Sequence, residues 1–211
     1  MTDTSAVSVR RVPLEELLGS PDERSALLEV LARGGVAAIP TETFYALACD
    51  PSNEQGVDRI FRIKGRDDGK PLPVLFSSRA DLDRLGVEAA ARLLDRLFRL
   101  WPAPLTVVLP LKAGIAASRG SQTLAVRIPA ASEVRQLLDG VGPLTGTSAN
   151  RSGQPPISEP AELALRLGED VDLLIDGGTT PGGAPSTIVD ATVEPPRVLR
   201  AGAFAWKDGP D

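Results

Sequence analysis

Three cationic residues lie close together in the segment 64–70 of this chain. Lys64 and Arg66 flank Gly65, and Lys70 follows four residues after Arg66. Ammonium and guanidinium groups at this spacing, with a glycine that permits a tight turn, suit the binding of a polyphosphate. The same charges are also favoured at a solvated helix C-terminus by the helix dipole. The cluster therefore predicts either a phosphate site or an ordinary helix end.

Two further polar segments are candidates for ligand binding. Thr41, Glu42 and Thr43 follow a predicted buried strand, so at least one hydroxyl is expected to point into a crevice. The segment 147–153 consists mostly of small polar residues, whose backbone amides and hydroxyls can contact phosphate oxygens. An ordinary strand exit and an Asn/Ser/Gly turn explain the two segments as well.

Arg127 is a candidate for binding an anion. It lies in a β-branched, apolar stretch that predicts a strand over residues 123–128. An arginine that points inward from this strand needs an anionic partner, because a buried unpaired charge is costly. An arginine that points outward is an ordinary surface residue, and the alternation of the strand does not distinguish the two cases.

The composition excludes several catalytic mechanisms. The chain has 211 residues, with no histidine and one cysteine. A Ser/His/Asp triad, a Cys/His pair and a histidine-ligated zinc site are therefore excluded. No Walker A sequence is present, and the glycines of residues 140–146 match a dinucleotide-binding fingerprint only loosely. Catalysis must then use positioning, carboxylates, lysine, arginine or a metal that arrives with a substrate.

Helices and strands alternate along the chain. Ser20, Pro21 and Glu23 predict the start of a helix that ends at Gly34, and Gly65 is the predicted end of a second helix. Further helices are predicted over residues 88–101, 132–138 and 158–167, and strands over 36–40, 72–76, 105–109, 123–128, 171–175, 187–189 and 198–200. This order predicts an α/β (α+β mixed) layered fold with helices flanking a twisted mixed sheet. We interpret the Gly/Pro-rich segment 177–185 as a functional loop.

The bulk properties predict one soluble cytoplasmic domain. A hydrophobic content of 42% is enough to bury a core, and we expect a single domain over residues 1–211 with its core at about 8–204. The apolar runs are far shorter than the roughly 20 residues of a membrane span, and no secretory signal pattern is present. The lone Cys49 suits a reducing compartment. The net charge of −5 opposes broad nonspecific binding to nucleic acid, although residues 59–70 are basic.

Six motifs follow one another over nearly the whole chain. They are PTETFYAL at 40–47, IFRIKGRDDGKPL at 60–72, WPAPLT at 101–106, VRIP at 126–129, SANRSG at 148–153 and STIVD at 186–190, followed by Arg200 and Gly202. The ordered set resembles the YrdC-like family of threonylcarbamoyl-AMP synthases. Each motif alone is weak, but the set is specific, and it favours the ligand-binding interpretation of the polar clusters.

The resemblance implies a reaction and its partners. L-Threonine, bicarbonate and ATP would give threonylcarbamoyl-AMP and pyrophosphate, which supplies the N6-threonylcarbamoyladenosine (t6A) modification of tRNA. Magnesium would arrive with ATP, and no dedicated metal site is expected. A downstream threonylcarbamoyl transferase complex would consume the product, and contact with tRNA or double-stranded RNA is a further hypothesis.

The resemblance also implies three sets of site residues. The catalytic set is Lys64, Arg66, Ser148 and Asn150; the ATP-binding set is Arg66, Lys70, Thr123, Ser148, Pro156 and Arg200; the threonine-binding set is Thr43, Arg127, Gly146 and Ser186. Lys64 and Arg66 are predicted to be loop residues that serve a ligand. Replacing either by alanine is then expected to abolish turnover and to leave thermal unfolding nearly unchanged.

Three residues depart from the family pattern, and two rival interpretations exist. Phe44 and Ala46 stand where the family more often has a smaller aliphatic residue and a glycine, and Leu75 stands where many members carry a histidine. Phe44 and Ala46 are expected to reshape the threonine pocket, and the position of Leu75 is expected to lie near the substrate. The main alternative function is that of a YciO-like RNA-binding relative of the same fold, without established synthase activity. A carbamoyl-adenylating module is a third class, usually fused within larger proteins, and the extra C-terminal domain of longer relatives is not expected here.

Overall fold

Two mixed β-sheets, rather than the single sheet that the sequence predicts, form the centre of the fold. The computed structural model describes residues 9–65 and 69–207. Its strands are, in chain order, β1 (Arg10–Pro13), β2 (Ala37–Ile39), β3 (Ala46–Ala48), β4 (Val74–Leu75), β5 (Leu105–Pro110), β6 (Thr123–Arg127), β7 (Leu144–Thr145), β8 (Thr147–Ser148), β9 (Leu173–Asp176), β10 (Thr187–Asp190) and β11 (Arg197–Arg200). The strand order is β1-β9-β2-β3-β8 in the first sheet and β11-β10-β5-β6-β4-β7 in the second.

Both sheets combine parallel and antiparallel pairs. In the first sheet, β9 is parallel to β1 and β2, whereas β3 is antiparallel to β2 and β8. In the second sheet, β5 is parallel to β10 and antiparallel to β6, and β4 is parallel to β6. The mixed α/β class is therefore confirmed. The prediction of a single sheet was wrong, because hydrophobic periodicity identifies strands and not the strands with which they pair.

The helices begin and end largely where local signals predict. They are α1 (Leu14–Gly19), α2 (Pro21–Ala32), α3 (Glu54–Lys64), α4 (Arg79–Arg84), α5 (Ala91–Leu100), α6 (Ser132–Val141) and α7 (Pro160–Leu167), with a 3₁₀ turn at Ala116–Ser118. The Ser20 hydroxyl accepts a hydrogen bond from the Glu23 amide at 3.3 Å and caps α2. Gly65 ends α3 with a φ of 64°, in the left-handed region that favours glycine. Within the described ranges, none of these helices has the length and apolar character that a bilayer crossing requires.

Several short elements escape prediction from the sequence. Helices α1 and α4 have six residues each, too few for a helical period to stand out. The strand predicted over residues 72–76 is reduced to β4, and Pro71 and Pro73 before it have no N–H group to donate to a neighbouring strand. The helix predicted from residue 88 begins at Ala91.

The core has two apolar layers, and the first sheet lies between them. Leu47 and Leu174 of the first sheet join Leu105 and Val126 of the second sheet in one buried cluster, which therefore fills the space between the sheets. The opposite face of the first sheet packs on α1, α2 and α6, through buried residues that include Leu17, Leu27, Ile39, Leu137 and Leu173. Because both faces of the first sheet are buried, its inner strands β2 and β3 consist entirely of buried apolar residues.

Cys49 lies in the layer between the sheets, and we expect it to be unreactive in the folded protein. Burial raises the pKa of its thiol to about 12, from an ordinary value of 9.0. Since the thiolate is the reactive form, iodoacetamide at about pH 8 should label Cys49 only after unfolding in urea, as followed by mass spectrometry. Because the folded pKa is raised, the thiol's contribution to stability is complete below about pH 9 and is lost as the pH rises toward about 12. Rapid labelling without denaturant would contradict this.

Candidate active site

Most of the predicted site residues line one open cleft. Its volume is about 820 Å³, and its walls come from the turn after β2, the end of α3, strands β5 and β6, the loop around β8 and strands β10 and β11. The predicted residues that line it are Thr43, Lys64, Lys70, Arg127, Gly146, Ser148, Asn150, Pro156, Ser186 and Arg200. Thr123 is not among the lining residues, although it shares a strand face with Ala125 and Arg127, which are. Arg66 lies outside the described residues.

The cleft is positively charged although the chain as a whole is acidic. Its lining contains Lys64, Lys70, Arg127 and Arg200, and no carboxylate among residues 9–65 and 69–207. A second cavity of about 760 Å³ shares Thr41 with the cleft but has the opposite character, since the charged residues in its described lining are Glu15, Glu133 and Asp176. An anionic ligand such as a polyphosphate therefore fits the cleft and not the second cavity.

Lys64 is a buried structural contact rather than the loop residue that the sequence predicts. It is the last residue of α3, and only 4% of its surface is exposed. Its ammonium group donates hydrogen bonds to the carbonyl oxygens of Ser148 at 2.7 Å and Asn150 at 3.1 Å, and to Asn150 Oδ1 at 3.1 Å. The prediction of a loop position was wrong because the favourable partners of Lys64 come from a segment more than 80 residues away. Lys64 thus ties the end of α3 to the loop after β8.

The loop after β8 is a well-bonded turn that also faces the cleft. Ser148 Oγ donates a hydrogen bond to Asn150 Oδ1 at 2.6 Å. The amide nitrogen of the Asn150 side chain donates to the carbonyl oxygens of Arg151 at 3.0 Å and Gln154 at 2.7 Å. The polar residues therefore build the turn, as an Asn/Ser/Gly turn requires, and they leave Ser148 and Gly153 at the cleft surface.

Arg127 points inward at the end of β6. The residue is 7% exposed, and Nη1 lies 3.1 Å from Glu42 Oε1. Burial lowers the pKa of Arg127, the nearby Glu42 carboxylate opposes this, and the positive charge of Arg200 lowers it further. Since the side chain also lines the cleft, the structure decides in favour of an inward arginine that is paired with Glu42 at the cleft.

Arg200 and Ser186 come together where β10 and β11 pair. The Arg200 guanidinium donates to the Ser186 carbonyl oxygen through Nε at 3.2 Å and Nη2 at 2.7 Å, and Nη2 also lies 3.3 Å from Ser186 Oγ. Ser186 Oγ shares a further hydrogen bond of 3.0 Å with Thr106 Oγ1. These contacts hold a cation and two hydroxyls against one wall of the cleft. Burial lowers the pKa of Arg200.

The Gly/Pro-rich segment 177–185 closes one side of the cleft. The Gly182 amide donates to the Thr43 carbonyl oxygen at 2.6 Å, which ties this segment to the turn after β2. Gly183 and Pro185 line the cleft. Sequence reasoning missed Thr106 as a lining residue, because a threonine within an apolar strand has no local mark of function. It also missed Glu42 as the partner of Arg127.

Gly146 has no room for a side chain. A Cβ atom there would lie 2.5 Å from Leu75 Cγ, a distance at which one of the two residues must move. We expect Gly146→Ala to lower the free energy of unfolding by about 1–3 kcal/mol through overpacking. Thermal unfolding measures this, and Leu75→Ala in the same chain is expected to relieve part of the loss. An unchanged melting temperature for Gly146→Ala would show that Leu75 moves aside freely.

The chain belongs to the Sua5/YciO/YrdC family. The model of that family, described as telomere recombination, matches residues 29–202. The chain is 35% identical over 181 residues to the threonylcarbamoyl-AMP synthase of Pyrococcus abyssi, over 84% of this chain and 53% of that protein. It is also 35% identical over 184 residues to the threonylcarbamoyl-AMP synthase of Vibrio vulnificus, over 83% of this chain and 96% of that protein. The chain thus spans about half the length of the Pyrococcus relative.

Solved structures of this family share the fold. The crystal structure of Pyrococcus abyssi Sua5 complexed with L-threonine matches with a TM-score of 0.81 at 32% identity, over 92% of this chain and 57% of that chain. The crystal structure of Escherichia coli YciO matches with a TM-score of 0.77 at 26% identity, over 88% of this chain and 92% of that chain. The structural neighbours therefore include a Sua5 protein and YciO, whose name was given above to the alternative function.

Proposed function

We propose that this chain is a threonylcarbamoyl-AMP synthase that forms threonylcarbamoyl-AMP and pyrophosphate from L-threonine, bicarbonate and ATP for the t6A modification of tRNA. The convergence of cations and hydroxyls on a single cleft carries the proposal. Lys70 and Arg200 bring positive charge to it, Ser148 and Ser186 bring hydroxyls, and Arg127 is buried beside it. The synthase names of the Pyrococcus and Vibrio relatives and the threonine complex of Sua5 support the same activity.

The arrangement suits an amino acid next to a nucleoside triphosphate. Arg127 would hold the carboxylate of threonine, with Thr43, Ser186 and the backbone at Gly146 around it. Lys70, Arg200 and the loop after β8 would hold the triphosphate, with Ser148 and Pro156 at the cleft surface. Arg66 and Thr123 stay predictions for the ATP site. The two substrates would then lie side by side, as an adenylation requires.

The chemical step needs alignment and charge neutralisation more than a proton shuttle. An oxygen of the N-carboxylated threonine attacks the α-phosphorus of ATP, a new P–O bond forms, and the bond to the β-phosphate oxygen breaks as pyrophosphate leaves. Cations in the cleft stabilise the negative charge that develops on the phosphoryl oxygens. Lys64 and Asn150 would act by holding the loop that carries Ser148. A chain without histidine can perform this step.

The proposal includes substrates and partners that follow from the reaction. Magnesium would enter as the Mg–ATP complex, because Mg²⁺ prefers oxygen ligands such as those of the triphosphate. The unstable product would pass to a threonylcarbamoyl transferase complex in the cytoplasm. Direct contact with tRNA is a hypothesis that the basic cleft permits.

A YciO-like function in RNA binding is the second candidate. The structural match to YciO covers nearly all of that chain, and a basic cleft suits an RNA backbone as well as a triphosphate. The two functions differ in their need for threonine and bicarbonate. RNA binding depends on the cations alone, whereas a synthase needs a cavity that also accepts a small amino acid.

The assay that separates them follows pyrophosphate release from purified protein with ATP, magnesium, bicarbonate and L-threonine. Release that depends on both threonine and bicarbonate is expected for the synthase. Absence of release, together with RNA binding that weakens with salt, would favour the YciO-like function. RNA binding is measured over a range of salt concentrations, because phosphate contacts are lost as salt rises.

Two arginines of β11 provide a matched pair of variants for this assay. Arg200→Ala is expected to raise the KM for ATP by roughly 10-fold, because a hydrogen bond to a charged group is lost. Arg197→Ala removes the same charge from the same strand, but Arg197 pairs with Asp190 at 3.3 Å away from the cleft. Its kinetics should match those of the unmodified protein. Equal effects of the two substitutions would show that only overall charge matters.

A further inference from the structure

Glu42 occupies an unusual position next to the cleft. It lies in a tight turn in which Thr41 Oγ1 accepts from the Thr43 amide at 3.2 Å and donates to the Phe44 carbonyl oxygen at 2.7 Å. Thr41 and Thr43, on either side of it in the chain, both line the cleft. The turn directs the Glu42 side chain toward Arg127 of the opposite sheet.

Within residues 9–65 and 69–207, the carboxylate of Glu42 lacks the hydrogen bonds that a buried carboxylate requires. Both of its oxygens are buried, and neither has a hydrogen-bond partner in the described part of the chain. The contact of 3.1 Å with Arg127 is an ion pair without hydrogen-bond geometry. A carboxylate whose role is to hold an arginine commonly accepts two parallel N–H bonds from it. Glu42 therefore compensates the charge of Arg127, and the described residues leave its hydrogen-bonding capacity unused.

A buried group with unused hydrogen-bonding capacity needs an explanation, since leaving it unmet is costly. An α-amino acid supplies the missing donor, because its ammonium group is separated from its carboxylate by one carbon atom. A ligand carboxylate held by Arg127 would bring that ammonium group next to Glu42. The cation of Arg127 and the anion of Glu42 thus match the two charges of a zwitterion.

We propose that Glu42 binds the α-amino group of the amino-acid substrate when the substrate carboxylate binds to Arg127. The inference rests on the proposed function and assigns the group that selects an amino acid over other small carboxylates. No described residue that lines the cleft carries a carboxylate, so the contact falls to Glu42, which pairs with Arg127 just beneath the cleft surface. The same contact would orient the nitrogen that becomes carboxylated.

The test compares two ligands that differ only in the group that Glu42 is proposed to bind. L-Threonine and its 2-hydroxy analogue, 2,3-dihydroxybutanoate of matching configuration, are titrated into the protein by calorimetry. The unmodified protein is expected to bind threonine more tightly by roughly 10- to 100-fold, the worth of a hydrogen bond to a charged group. Glu42→Gln should lose this preference, by weakening threonine binding and leaving the analogue nearly unchanged. Glu42→Asp, which retains the charge, should keep a preference for threonine.

The possible outcomes distinguish binding of the substrate amino group by Glu42 from a purely structural role of Glu42 beside Arg127. If Glu42→Gln weakens both ligands equally, Glu42 only maintains Arg127, and the proposal is overturned. ATP affinity serves as the control, because the nucleotide does not need the amino-acid contact. If Glu42→Gln does not fold, the titrations of the unmodified protein still test the proposal. Equal binding of threonine and the analogue by the unmodified protein overturns it. Absence of any threonine binding would overturn the proposed function together with this inference, whereas threonine binding without preference overturns this inference alone.

Discussion

Replacing Lys64 by alanine is expected to lower the free energy of unfolding by roughly 2–4 kcal/mol and to abolish pyrophosphate release. The substitution removes a buried ammonium group that bonds two carbonyl oxygens and the Asn150 side chain. Buried acceptors left without a donor cost about 1–3 kcal/mol each, partly offset when water reaches them. For a chain of this size the melting temperature should fall by about 4–16 °C. This replaces the expectation from sequence that thermal unfolding would stay unchanged.

Two control variants distinguish the roles of the ammonium group. Lys64→Met keeps most of the length of the side chain and removes the charge, so it should lose nearly as much stability as Lys64→Ala. Lys70→Ala removes an exposed cation from the same cleft, and it should change stability by less than about 0.5 kcal/mol while raising the KM for ATP. Thermal unfolding and steady-state kinetics measure both. If Lys64→Ala and the unmodified protein give the same unfolding curve, Lys64 serves ligand binding alone.

Replacing Arg127 by glutamine should raise the KM for threonine by roughly 100-fold, with little change in the KM for ATP. The expected size is that of one or two charge-assisted hydrogen bonds to the threonine carboxylate. The substitution also leaves Glu42 buried without its counter-charge, which should lower the free energy of unfolding by about 3–5 kcal/mol. Kinetics with each substrate varied in turn, and thermal unfolding, measure the two effects.

The double variant Arg127→Gln with Glu42→Gln tests the second part of this prediction. Removing both charges should restore stability relative to Arg127→Gln alone, because no unpaired buried charge remains. Threonine-dependent turnover should stay low, since neither charge is available to the substrate. If the single and double variants unfold at the same temperature, the unpaired charge of Glu42 is not the cause of the lost stability of Arg127→Gln. If Arg127→Gln raises the KM for ATP and not that for threonine, the two substrate sites are exchanged relative to the proposal.

The sequence predicted the features that depend on near neighbours in the chain. Ser20 and Pro21 predicted the start of α2, and Gly65 predicted the end of α3, because caps act within one helical turn. The order of the motifs predicted the family, which the match over residues 29–202 confirms. The absence of histidine excluded whole classes of mechanism, because those mechanisms need an imidazole however the chain folds.

By itself, then, the sequence determined the fold class, the family and the set of candidate residues. Only the tertiary structure decided what those residues do, because their partners lie far away along the chain. Lys64 meets the Ser148–Asn150 loop, Arg127 points inward to Glu42, and the strands divide into two sheets. Local patterns carry no information about such pairings, since each depends on which distant surfaces pack together once the apolar layers on both faces of the first sheet are buried.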